Sequence, residues 1–153
     1  MKFLLILFSF LLPSAALAQN PVALTSEVFV ERVSTGANGD EKVSLEAPNV
    51  VIPGDKLVFV LSYRNGGTTP AADFVVTNPI PGSVSFAGTE SSGAAYSVDG
   101  GKSWGALTAL TIANPDGTRR AATLADVTHV RWHFAQPIAP GGSGQLRFRG
   151  VVK

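Results

Sequence analysis

Residues 51–81 read VIPGDKLVFVLSYRNGGTTPAADFVVTNPIP, and the alternation of apolar and polar residues inside this stretch decides the fold class. Leu57, Phe59, Leu61 and Tyr63 fall at every second position and so share one face of an extended strand. On the other face Val58 and Val60 give way to Ser62 and Arg64, the pattern of a central strand that is apolar on both sides at its start. Phe74 and Val76 then alternate with Asp73, Val75 and Thr77, which predicts a second strand. Pro53-Gly54, Asn65-Gly66-Gly67 and Pro81-Gly82 punctuate the stretch, because Gly and Asn tolerate the positive backbone angles of a reversal and Pro presets its first position.

The same grammar extends in both directions. Upstream, Val43 and Leu45 between Lys42, Ser44 and Glu46 predict a short half-buried strand. Downstream, Val84 and Phe86 alternate with serines, Val130, Trp132 and Phe134 oppose His129, Arg131 and His133, and Leu146, Phe148 and Val152 oppose Gln145, Arg147 and Arg149. Further turns fall at Asn38-Gly39, Asp99-Gly100-Gly101, Asp116-Gly117 and Pro140-Gly141-Gly142. Residues 105–125 are less regular, with room for a strand around Leu107 to Ile112, a loop from Asn114 to Arg120, and a short helical turn at Ala121 to Asp126. No window of helical period stands out after residue 20. Short strands at this spacing predict an all-β domain of about seven or eight antiparallel strands, a sandwich or a barrel.

The parts of the opening stretch also carry a resemblance. Pro53-Gly54-Asp55, Tyr63-Arg64-Asn65, the Gly66 to Ala71 hairpin, Val75-Val76-Thr77 and Pro79-Ile80-Pro81 resemble the signature of the DUF11-type conserved repeat domain of bacterial and archaeal surface and secreted proteins. Ile138-Ala139-Pro140-Gly141 before a last alternating strand fits as well, so the likeness spans residues 43–153. It implies an immunoglobulin-like β-sandwich serving as a stalk, spacer or adhesive module. Members often occur in long tandem arrays, whereas this chain carries one copy.

The first residues form an address. In MKFLLILFSFLLPSAALA, residues 1–18, one cation at Lys2 precedes an apolar run from Phe3 to Leu12, then Pro13, and the Ala16-Leu17-Ala18 end fits the A-x-A cleavage pattern. The run is half the roughly twenty residues a spanning helix needs, so the segment reads as a cleaved signal peptide. Residues 19–153 then form a single exported domain, soluble in the periplasm or outside a bacterial cell. The 153 residues include no Cys, which excludes a disulfide scaffold and a Cys-ligated metal site and leaves apolar packing to hold the fold. Lys and Arg number 12 against 11 acids, and Lys2 leaves with the leader, so no basic excess remains to attract nucleic acid.

Two constellations stand out. Ser97-Val98-Asp99-Gly100-Gly101-Lys102-Ser103-Trp104 resembles the Asp-box, S-x-D-x-G-x-T-W, a hairpin in which the Asp carboxylate binds turn amides above the Trp ring. Asp99, Gly100 and Gly101 are its structural turn; Trp104, with Tyr96 and more weakly Trp132, is the candidate sugar-stacking platform. The other is basic: His129, Arg131 and His133 point one way, and a final hairpin is expected to set Arg147 and Arg149 beside them as a surface for anionic polysaccharide or lipid headgroups. Residues four apart on a strand are about 13 Å apart, too far for His129 and His133 to grip one zinc ion.

No nucleophile elbow, phosphate loop, dinucleotide fingerprint or calcium-loop spacing occurs in the sequence, and the acids are scattered. The expectation is therefore a non-enzymatic exported module, with no cofactor, that acts by surface contact on envelope or extracellular proteins or glycans. The alternative is a carbohydrate-binding module built on the hairpin around Trp104. A third option is strand exchange, in which an exposed sheet edge accepts a segment of a partner or of a second copy.

Overall fold

The computed structural model describes residues 22–36 and 38–153; the leader expected at 1–18 lies outside the described residues. The alternating stretch forms β3 (Lys56–Asn65), which is central as expected, flanked by β1 (Val22–Thr35) and β10 (Ser143–Val152). With β2 (Glu41–Glu46) and β5 (Val84–Thr89) they make a five-stranded antiparallel sheet in the order β2-β1-β3-β10-β5. A second antiparallel sheet has β9 (His129–His133) between β4 (Val75–Pro79) and β6 (Ala94–Ser97). A two-stranded ribbon of β7 (Thr111–Ala113) and β8 (Arg119–Ala121) completes the ten described strands, so the all-β antiparallel expectation holds while the strand number is exceeded.

One core lies between the two sheets, and the alternation explains its membership. Leu57, Phe59 and Leu61 of β3, with Leu146 and Phe148 of β10, meet Val76, Val130 and Trp132 of the second sheet. Phe59 and Phe148 are cross-strand partners whose rings stack at 4.4 Å, and Phe148 reaches Trp132 at 6.3 Å. The inward position expected for Trp132 is thus confirmed; it is 2% exposed.

Three expectations are corrected. The 107–112 strand is a 3-10 turn at Leu107–Ala109 followed by the short β7, whereas the helical turn expected at Ala121 to Asp126 is present as a 3-10 turn at Leu124–Asp126. The strand containing Val43 and Leu45 exists as β2, but it is not half-buried: these residues are 57% and 44% exposed. The cause is the length of β1, whose first half pairs with β3 and whose second half runs on to pair with β2, carrying that hairpin past the core.

The third correction concerns the last two strands, which are not a hairpin: β9 belongs to the small sheet and β10 to the large one. The connecting segment is redirected by Asn65, fully buried at the end of β3. Its Nδ2 donates to the carbonyls of Thr69 and Ile138 and its Oδ1 accepts from the Gly67 amide, while its backbone bonds Gly141 and Gly142. Ile138 in turn exchanges two backbone bonds with Ala71, so the chain is held across the sheets before β10 begins.

Candidate functional site

The hairpin expected at residues 97–104 forms, and its bonds follow from a carboxylate surrounded by donors. Asp99 accepts from the Ser103 hydroxyl at 2.6 Å, the Ser103 amide at 2.9 Å, the Ser97 hydroxyl at 2.7 Å and the Lys102 amide at 3.0 Å. These bonds, the Ser103 hydroxyl's first, hold the Asp99 carboxyl well below the usual carboxylate range. Ser97, buried, accepts from the Gly101 amide at 2.9 Å. Gly100 and Gly101 adopt φ of 78° and 86°, the left-handed region that glycine enters without a Cβ penalty.

Trp104 closes the hairpin by donating its indole N–H to the Gly101 carbonyl at 2.9 Å. The Arg131 guanidinium lies 4.2 Å from the centre of its ring, a cation–π contact that covers one face of the platform. His129 meets the ring edge-on at 6.2 Å. On the same outer face of the small sheet, His133 stands 4.0 Å from Asp73. No carboxylate pairs with Arg131 among the described residues, so the stacked guanidinium can turn its donors toward an anion.

The other candidates lie elsewhere. Tyr96 pairs with Val130 on the inner face and packs against Phe86 at 5.7 Å, so it cannot share a sugar with Trp104. Arg147 and Arg149 are on the outer face of the large sheet, and the basic cluster expected with Arg131 is therefore not assembled. Arg149 is instead spanned between Glu31 and Glu90, the Glu90 contact measuring 2.7 Å. It lies in a row with Val58 and Phe29, while Arg147 lies in a row with Val60 and Glu27. The aliphatic stems of these arginines explain how Val58 and Val60 are each 4% exposed without belonging to the central core.

Sequence reasoning missed the surface made by β1 and β2. Val33 faces Val43 across the ladder, Leu45 follows two residues on, and Val33 is 52% exposed. In the loop beyond, Val50, Val51 and Ile52 are 74%, 42% and 60% exposed. The run Val50-Val51-Ile52 was the signal available in the sequence, an apolar triplet outside any alternating window.

Two open hollows of about 520 and 430 Å³ are lined by Asp99, Ser103 and Arg119, and by Ser91, Trp132, His133 and Gln145 respectively. No group of three or more His, Cys, Asp or Glu residues suited to a metal ion occurs among the described residues, and none of their helices is long and apolar enough to cross a membrane. No family model, no curated protein and no solved structure matches the chain. Fold and surface together define an all-β protein of two antiparallel sheets and a two-stranded ribbon with an uncovered apolar hairpin.

Proposed function

We propose that this chain is an exported, non-enzymatic β-sandwich module of the immunoglobulin-like, DUF11-type kind, acting by surface contact in the cell envelope or outside the cell. The observation that carries this reading is the β1–β2 hairpin with its loop, where Val33, Val43, Leu45, Val50, Val51 and Ile52 are all more than 40% exposed. An apolar patch of that kind raises solubility costs in isolation and loses them against a partner. The leader at residues 1–18 supports the address.

The test expresses the whole chain in a bacterium with a photo-crosslinking amino acid at Val43 or, as control, at Lys102. The reading expects a product beginning at Gln19 in the periplasm or medium, and a discrete adduct from position 43 that position 102 does not give. Cytoplasmic product retaining Met1, or identical adducts from both positions, contradicts it.

A second reading, a carbohydrate-binding module on the Asp99 hairpin, draws on the Arg131–Trp104 stack. A guanidinium held on an indole favours an acidic sugar over a neutral one. Binding of acidic glycans lost equally in Trp104→Ala and Arg131→Ala supports this reading; a glycan array without hits removes it.

A further inference from the structure

Strands at the edge of a sheet expose unpaired N–H and C=O groups, and proteins ordinarily blunt them with charge, Pro, bulges or brevity. Here β2 carries Glu41, Lys42 and Glu46 within six residues. On β5 the register shifts opposite Arg149 and Gly150, and Gly88 sits at φ 122°. Pro79 ends the five-residue β4, and Tyr96 in the four-residue β6 exchanges two backbone bonds with Gly105. Residues 22–29 of β1 carry one charge, Glu27, and no Pro, bulge or interruption. They pair with β3 on one side only, because β2 does not begin until Val30, and no described backbone group bonds their other edge. Ala23, Leu24, Thr25, Ser26 and Glu27 are all exposed.

Leu24 makes the edge more than an idle one. It shares the inward register of Val22, Val28 and Val30, yet it is 46% exposed, since neither the small sheet nor another strand covers it. We infer that the open edge of β1 pairs antiparallel with β1 of a second copy, about a twofold axis through Ser26. In that register Leu24 faces Val28 of the other copy, Ala23 faces Phe29, and Glu27, the sole charge, faces Thr25. Inward residues meet inward ones, so the two large sheets continue as one, and like charges never oppose each other. Shifting the axis to Thr25 sets Leu24 against Ser26 and leaves its apolar surface unmatched. This goes beyond the contact role proposed above, since it uses a different part of β1 and stands without it.

The chain has no cysteine, so Ser26→Cys introduces a single thiol on the axis. In protein purified from its host, mild oxidation is expected to convert Ser26→Cys into a reductant-sensitive dimer many times faster than Ser92→Cys, an exposed position far from this edge in sequence. Leu24→Lys is expected to weaken the noncovalent dimer at least tenfold in sedimentation while leaving the strand signal in circular dichroism intact. Four results overturn the inference: a parent that sediments as a monomer at millimolar concentration, equal oxidation of the two cysteine variants, faster linkage by Thr25→Cys, or capture of the Ser26→Cys thiol by a different polypeptide.

Discussion

Asn65 donates a hydrogen bond of 2.8 Å to the carbonyl of Ile138, 73 residues further along the chain, and both residues are buried. That bond ties the end of the central strand to the segment that crosses between the sheets. Asn65→Ala removes it together with the bond to Thr69, while the Ile138 carbonyl keeps its bond from Ala71. The expected cost is about 2–3 kcal/mol, measured by urea unfolding. Asn65→Asp is expected to be no better, because a carboxylate presents acceptors to two carbonyls.

Tyr63 lies over Gly144: a β-carbon on that glycine would land on the tyrosine hydroxyl. The ring is also fixed from the other side, edge-to-face against Phe134 at 4.8 Å. Gly144→Ala is therefore expected to destabilise by about 1–3 kcal/mol through overpacking. Combining it with Tyr63→Val is expected to recover part of the loss, so a double-mutant cycle reads a coupling of about 1 kcal/mol. A cycle with zero coupling contradicts the close approach.

Phe148 is 1% exposed and stacks on Phe59 with an interplanar angle of 3°. Phe148→Ala is expected to cost about 3–5 kcal/mol, a large share of a domain's total stability. Denaturant midpoints for this variant and for Phe148→Leu check it, the leucine losing less than the alanine.

Asp99 gives stability a pH signature. Its carboxyl titrates lower in the folded protein than the ordinary value near 4, so its stabilising effect is complete above about pH 4 and disappears as pH falls toward its folded value. Asp99→Asn is therefore expected to melt below the parent at pH 7, with the gap closing as the pH approaches 2. Calorimetry at pH 7, 4 and 2 tests this; a gap that widens in acid refutes the assignment. Asp126, held down chiefly by the Arg120 guanidinium, keeps its own acid dependence in both proteins.

The exposed hairpin predicts an absence of effect on stability. Val43→Thr and Leu45→Gln are expected to shift unfolding by no more than about 0.5 kcal/mol, while reducing the binding of a hydrophobic dye. A loss of several kcal/mol would mean that β2 is packed after all.

Much of this was legible before the fold was known. The central place of β3, the inward face of Trp132 and the Asp99 hairpin all follow from local rules. Alternation of period two reports which face a side chain takes, and an Asx turn closes within eight residues. What stayed illegible is the partner of each strand. Residues 129–134 and 145–152, separated by Pro137 and Pro140-Gly141-Gly142, carry the signals of a hairpin, yet they lie in different sheets. The Arg131 and Arg149 surfaces were joined on that mistaken premise. In the same way, Val43 and Leu45 alternate as buried residues do, and only the overrun of β1 leaves them uncovered.

The amino-acid order by itself determined the turn sites and the places of β2, β3, β4, β5, β9 and β10, though not of β1, because alternation and turns depend on backbone sterics and neighbours two to four positions away. The tertiary structure alone decided which sheet each strand joined, where the Arg131–Trp104 stack formed, and which edge of β1 was left open. Those outcomes rest on contacts such as Asn65 to Ile138, whose partners are separated by half the chain and leave no local trace in either segment.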